Sequence, residues 1–243
     1  MKHKWPENCD QIYICNTKTK LTVTEEDYLI DLLSSAEISN FITIKDEIQR
    51  SSYLQSHAFK RYILSNYLNI STSEIEFYTN NYGKPFLKEK SGKSNCYFNL
   101  SHTSGMIALI TSSQKNTGID IEKIVSRNDI DLLEEIILPA KVIEEQRSLQ
   151  PEERKINFYK YWVLKECYGK AIGLGFSIDP KYLKIVKKSE NCFYIIDEVN
   201  LIKQHIIIMY LQLKDVAIAY TNYDQPTTKI NIYSFYKHFN FID

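Results

Sequence analysis

The chain offers no net charge, no disulfide framework and no membrane span. Basic and acidic side chains number 30 each, for a formal net charge of zero. No global field therefore recruits nucleic acid or an anionic membrane, and any electrostatic preference must come from a local patch. The five cysteines (Cys9, Cys15, Cys96, Cys167 and Cys192) are odd in number and include no C-x-x-C pair. That argues against both a disulfide scaffold and a zinc knuckle, and leaves reduced thiols buried as small apolar groups. The longest apolar run, around HIIIMYLQL from His205 to Leu213, falls far short of the ~20 residues that cross a bilayer. The opening MKHKWPENCD lacks the apolar core of a secretory leader, so the expectation is a soluble, cytoplasmic protein.

What is present is an ordinary globular mixture, 44% hydrophobic and 25% charged over 243 residues, enough for one large domain or two of about 120 residues. QIYICNTKT alternates as a strand, and TEEDYLIDLLSSAEISNFI reads as one helix with Thr24 as its cap. From Ser51 to Leu68 the apolar positions Leu54, Ala58, Tyr62, Ile63 and Tyr67 make a helical stripe for core packing. EIEFYT and CYFNL are strands, a polar corner SHTSG leads to MIALITSS, and GIDIEKI follows, together an antiparallel meander.

Beyond it, RNDIDLLEEIILPAKVIEEQRSLQ gives two short helices broken at Pro139, and Pro151 opens a long helix running to about Ala171. KYLKIV, CFYIID, HIIIMYLQL and VAIAYT complete the chain as strands. Helices precede strands in both halves, which predicts an α+β fold of two similar subdomains, each an antiparallel sheet packed with helices, meeting near residue 113. No internal sequence repeat accompanies them. After Pro226 the aromatic tail INIYSFYKHFNFID either packs back on the body or reaches a partner.

Two patterns carry chemistry. In GIDIEKI, period two puts Asp120 and Glu122 on one strand face and Ile119 and Ile121 on the other. The two carboxylates then stand about 7 Å apart at their Cα atoms, near enough to share a cation. A merely charged, exposed strand face gives the same pattern. In FYKYWVLKECYGKAIGLGF, Glu166 and Lys170 lie one helical turn apart with Lys165 beside the acid, bordering an aromatic arc that includes Phe158 and Trp162. Taken alone, this is equally a surface ion pair worth about 0.3–0.5 kcal/mol.

The spacing between the two patterns is the discriminating feature. G-I-D-x-E is followed, 42 residues after the aspartate, by W-x-x-K-E-x-x-x-K. In Gly118, Ile119, Asp120, Glu122, Trp162, Lys165, Glu166 and Lys170 the sequence resembles the 4′-phosphopantetheinyl transferase superfamily, and such agreement at fixed types across two segments is far more specific than one short motif. YGKPFL (Tyr82 to Leu87) resembles that family's G-K-P segment and FNLSHT (Phe98 to Thr103) its F-N-x-S-H segment. The resemblance covers roughly residues 45 to 180, and the length matches the longer members built from two pseudo-symmetric halves.

The resemblance implies transfer of 4′-phosphopantetheine from coenzyme A to a serine of an apo acyl or peptidyl carrier protein, with release of 3′,5′-adenosine bisphosphate. It implies an N-terminal half (1–113) on the adenine and 3′-phosphate side, a C-terminal half (114–225) with the metal and catalytic motifs, a tail (226–243), and a monomer. Asp120, Glu122 and Glu166 are implied ligands of Mg²⁺, a cation that takes carboxylate and phosphate oxygens. Asp120, Lys165 and Glu166 are implied as catalytic, with Lys165 to orient or deprotonate the serine. Lys45, Arg50, Gly83, Lys84, Pro85, Ser101, His102 and Lys170 are the implied coenzyme A contacts.

One departure stands out: where the family commonly carries F-S-x-x-E, ILPAKVIEE puts Lys141 at the glutamate position, leaving Glu144, Glu145, Lys165 or metal-bound water to take its part, or activity reduced. Two rival readings accompany the transferase. One is an inactive coenzyme A- or carrier-binding module, for which Lys141 leaves room. The other is a Mg²⁺-dependent pyrophosphate hydrolase, which lacks its expected G-x₅-E and E-x-x-E-E acids here.

Overall fold

The computed structural model describes residues 10–88, 96–199, 206–222 and 229–234. Strand β1 (Gln11–Asn16) leads into helices α1 (Val23–Asp31), α2 (Ser35–Thr43) and α3 (Glu47–Leu68). The single helix expected from Thr24 onward is divided because Ser34 takes extended backbone, ψ 160°, to cap α2. Its Oγ accepts from the Glu37 amide at 3.3 Å while its own amide donates to Glu37 Oε2 at 3.1 Å, a reciprocal pair that satisfies amides a helix start otherwise leaves open. Thr22, not Thr24, caps α1 in the same way, and Asp46 caps α3 upstream of the expected Ser51.

Five strand segments follow where a single meander was expected. β2 (Phe77–Thr79) pairs only with β3 (Pro85–Leu87), a strand not anticipated, in a small hairpin. β4 (Tyr97–Thr103) and β5 (Met106–Ser112) pair with each other and β5 with β1, whereas β6 (Ile119–Lys123) belongs to a second sheet. Helices α4 (Ile130–Ile137) and α5 (Ala140–Arg147) are divided at Pro139, and α6 (Pro151–Ile172) starts on its proline and stops at Gly173, φ +75°. β7 (Leu183–Ser189), β8 (Cys192–Asp197), β9 (Ile207–Leu213) and β10 (Val216–Thr221) then form an antiparallel run. β11 (Lys229–Ser234), within the tail, lies parallel to β1. Residues 229–234 of the tail therefore pack back on the body; residues 226–228 and 235–243 lie outside the described residues.

The sheet orders are β11-β1-β5-β4 and β6-β10-β9-β8-β7, so the fold is α+β with two sheet-and-helix halves. One face of the first sheet (Tyr13, Cys15, Ile107, Leu109) buries against Leu29, Leu54, Phe59 and Ile63 of α1 and α3. Its other face (Ile12, Ile14, Ala108, Ile110) meets Ile119, Ile121, Val216 and Ile218 of the second sheet, whose outer face carries α6 through Val163, Cys167 and Ala171. β5 and β10 thus have both faces covered, and period two explains why they read as continuous apolar runs. No helix among the described residues is long and apolar enough to cross a membrane.

Where the sheets meet, β4 runs alongside β6 with side chains in place of a backbone ladder. Asn99 Oδ1 accepts from the Ile119 amide at 3.0 Å, Ser101 Oγ from Ile121 at 3.4 Å and Thr103 Oγ1 from Lys123 at 3.1 Å. Ser101, His102 and Thr103, expected in a turn, are therefore strand residues; the turn is Ser104 and Gly105.

Candidate active site

Strand β6 turns Ile119 and Ile121 into the inter-sheet core and Asp120 and Glu122 toward α6. The approach of α6 is set by small residues. A side-chain carbon at Gly118 would stand 2.3 Å from the Cys167 carbonyl oxygen and 2.8 Å from the Ala171 amide, and across the ladder Asp120 and Glu122 face Ala219 and Ala217. Glycine at 118 is thus required by close approach of backbone to backbone. Lys84 fastens the same junction from the β2–β3 hairpin, its Nζ donating to the Thr117 carbonyl at 3.0 Å and the Ala171 carbonyl at 2.6 Å.

Glu166 on α6 completes a group of acids with Asp120 and Glu122. Burial first, then the negative charges of Asp120 and Glu122, push the Glu166 pKa up to about 7, with Lys170 opposing. Burial and Asp120 likewise raise Glu122. Lys170 does not pair with Glu166 one turn back; its Nζ donates to Asp120 Oδ1 at 2.6 Å and to Ser101 Oγ at 2.8 Å. Ser101 Oγ in turn donates to Asp120 Oδ1 at 2.9 Å, and Thr103 Oγ1 to Glu122 Oε2 at 3.0 Å. Asp120 is only 2% exposed and its Oδ2 has no hydrogen-bond partner among the described residues.

As the side chains stand, no three His, Cys, Asp or Glu residues are drawn close enough to enclose a metal ion, among the described residues. The donor set nonetheless fits a hard divalent cation: carboxylates that repel one another, one of them with a buried and unpaired oxygen, are relieved by positive charge.

Two cavities lie nearby; they share Thr103 and Ser104, and Glu122 lines the smaller. The larger, about 530 Å³, lies between the N-terminal end of α3 and the β4–β5 turn and is lined by Lys18, Ser51, Ser52, His57, His102 and Ser104 among others. The smaller, about 350 Å³, has Glu122 and Arg127 in its wall with the apolar Val125, Leu133, Phe158 and Trp162. Burial in the wall, then the charge of Lys170, hold His102 below its usual pKa. His57, which sequence reasoning missed, stacks on Tyr53 at 3.9 Å between ring centroids, and its Nδ1 lies 2.9 Å from Glu37 Oε1. Glu37 also accepts from Lys60 at 3.0 Å and from Arg61 Nε, a buried ionic cluster tying α2 to α3 beneath the cavity.

The remaining expected residues are placed apart from the acids. Lys165, 5% exposed, donates to the Ile137 carbonyl at 2.7 Å and to the Pro180 carbonyl at 2.6 Å, and burial pushes its pKa down to about 8. Lys45 is exposed in the α2–α3 link and Arg50 sits in the first turn of α3; neither lines the larger cavity, although their sequence neighbours Ile44, Gln49 and Ser51 do. Gly83 takes φ +85° in a turn organised by Asn80, and Pro85 opens β3; neither they nor Lys84 line the two cavities. Lys141, Glu144 and Glu145 are exposed on α5, outside both.

Comparison with known proteins converges on one family. A family model described as the 4′-phosphopantetheinyl transferase superfamily matches residues 116–221, and one described as 4′-phosphopantetheinyl transferase, N-terminal, matches residues 24–115. The chain is 26% identical over 182 residues to the 4′-phosphopantetheinyl transferase HetI of Nostoc sp., covering 72% of this chain and 77% of that one. It is 33% identical over 138 residues to the 4′-phosphopantetheinyl transferase gsp of Aneurinibacillus migulanus, covering 57% and 54%. It is 32% identical over 127 residues to the L-aminoadipate-semialdehyde dehydrogenase-phosphopantetheinyl transferase of Candida glabrata, covering 49% and 46%. The matched stretch thus spans about half the length of these last two relatives.

Proposed function

Because the chain belongs to the 4′-phosphopantetheinyl transferase superfamily of enzymes, we propose that it moves the 4′-phosphopantetheine group of coenzyme A to a serine of an apo acyl or peptidyl carrier protein. The new bond joins the serine oxygen to the β-phosphorus, the bond to the α-phosphate breaks, 3′,5′-adenosine bisphosphate leaves, and the hydroxyl proton is released. The observation that carries the reading is the electrostatic coupling of Asp120 and Glu122 of β6 to Glu166 of α6 beside Lys170, with Glu122 in the wall of the smaller cavity.

Phosphoryl-type transfer asks for charge neutralisation and alignment more than covalent chemistry from the protein. Asp120, Glu122 and Glu166 are the proposed ligands of Mg²⁺, which when bound supplies positive charge to the diphosphate oxygens. Lys170, held by Asp120 and Ser101, would present its ammonium to the diphosphate oxygens, and a cation held by the acids would supply further positive charge there. His102 faces the larger cavity and donates to a phosphate there. Lys45 and Arg50 are the proposed partners of the 3′-phosphate and the backbone of the Gly83–Pro85 turn that of the adenine, while the Lys84 side chain stays a tie. Lys165 is proposed to hold the α4 end and the Pro180 turn against α6 rather than to act as base, since two of its three ammonium donors are held by those backbone carbonyls.

The test is incubation with coenzyme A, Mg²⁺ and an apo carrier, followed by intact mass. Gain of one phosphopantetheine supports the transferase; nucleotide release without a carrier points to a hydrolase; and tight binding without turnover points to a binding module. Both sides of the site come from one chain, which supports a monomer as the working unit.

A further inference from the structure

A hydroxyl carries one proton, so its acceptor contacts determine where that proton goes. Thr103 Oγ1 accepts from the Lys123 amide at 3.1 Å, a group that only donates, and its single O–H is left for Glu122 Oε2 at 3.0 Å. Ser101 repeats the arrangement one strand period earlier, accepting from the Ile121 amide at 3.4 Å and from Lys170 at 2.8 Å and donating to Asp120 Oδ1 at 2.9 Å. Each β4 hydroxyl thus registers against β6 backbone and pins one oxygen of the carboxylate next to it. Asp120 Oδ2 is then left buried and unpartnered among the described residues. Asn99, one period further back, makes the same kind of backbone contact, to Ile119, with no carboxylate attached.

We propose that Ser101 and Thr103 are positioning residues for a divalent-cation site, one hydroxyl per carboxylate, with Thr103 setting the orientation of Glu122. The proposal rests on the reading of Asp120, Glu122 and Glu166 as cation ligands. It turns the seam between the two sheets into the outer shell of the site: the strand that joins the halves also aims the acids. Outer-shell partners of this kind change metal affinity by about 10–100-fold when removed. Thr103 is the cleaner probe because Ser101 also holds Lys170.

The experiment is Mn²⁺ titration of the full chain without substrate, read from the free-ion signal by electron paramagnetic resonance. Thr103→Val, which keeps the shape and deletes the hydroxyl, is expected to raise the Mn²⁺ dissociation constant about tenfold or more, and Thr103→Ser to stay within twofold of the parent. Asn99→Ala, which loosens the same seam without touching a carboxylate, is expected to bind as the parent does. Thr103→Ala repeats the measurement without the bulk of valine should that variant fold poorly. Parent-like binding by Thr103→Val or Thr103→Ala, or equal weakening by Asn99→Ala, overturns the positioning role and leaves the cation reading standing. A parent with no saturable Mn²⁺ site, indistinguishable from Asp120→Ala, overturns both.

Discussion

A side-chain carbon at Gly118 would fall 2.3 Å from the carbonyl oxygen of Cys167. This one contact distance decides how near β6 comes to α6, and so whether Asp120 and Glu122 meet Glu166 at all. Gly118→Ala forces the strand and helix apart. It is expected to cost about 1–3 kcal/mol, as overpacking does, and urea unfolding at fixed pH measures it. The same variant is expected to lose more activity than its loss of stability explains, because the acids no longer meet.

The Glu166 carboxyl keeps its proton up to about 7 in the folded chain, against an ordinary 4.5. Between those values the unfolded chain ionises first, so rising pH disfavours the native state across the window from about 4.5 to about 7. Stability attributable to Glu166 is expected to fall over that window and level off above it, and Mg²⁺ is expected to restore it at the alkaline end. Denaturation midpoints at pH 5 and 7.5, with and without Mg²⁺, check this against Glu166→Gln. A parent and variant that share one pH dependence would show that Glu166 is not under strain.

Lys165 offers a different contrast. With its ammonium held by the Ile137 and Pro180 carbonyls, Lys165→Met leaves buried acceptors unpaired at about 1–3 kcal/mol. The shape of the pH–rate profile is expected to survive, with only its height reduced. Disappearance of a limb near pH 8 in the variant would instead identify Lys165 as the proton acceptor.

Beneath the larger cavity, Glu37 offsets Lys60 and Arg61, both under 10% exposed. Burial would raise its pKa, but the His57 hydrogen bond and the charge of Lys60 hold it well below the carboxylate range. Glu37→Ala strands buried cations and is expected to cost about 3–5 kcal/mol, against a smaller loss for Glu37→Gln. Thermal unfolding of the two variants separates these outcomes.

Much of this architecture was legible because it follows period and punctuation. The stripe of α3, the break at Pro139 and the proline start of α6 all stand in the sequence, and the two spaced motifs identified the family. The division at Ser34 was also there to read, since S-x-x-E from Ser34 to Glu37 is a capping signature; apolar periodicity on both sides overshadowed it. Other features had no local signal. Lysines are read as exposed by default, so nothing marked Lys84 and Lys165 as buried ties. Nor does SHT announce a strand, because Ser101 and Thr103 are satisfied by backbone amides of β6, a partner some twenty residues away that only the fold supplies. His57 lacked any mark because its role depends on Glu37 of another helix.

The central claim is that the acids of β6 and α6 serve the loading of a carrier serine. Its most direct test is intact-mass measurement of an apo carrier protein after incubation with coenzyme A, Mg²⁺ and the parent, Asp120→Ala or Glu166→Ala chain. The account predicts a carrier heavier by one phosphopantetheine with the parent, abolished by chelator and reduced at least a hundredfold in rate by either substitution, roughly the loss of ~3 kcal/mol of transition-state stabilisation. An unshifted carrier across several carrier types, or loading that proceeds equally well with Asp120→Ala, contradicts it.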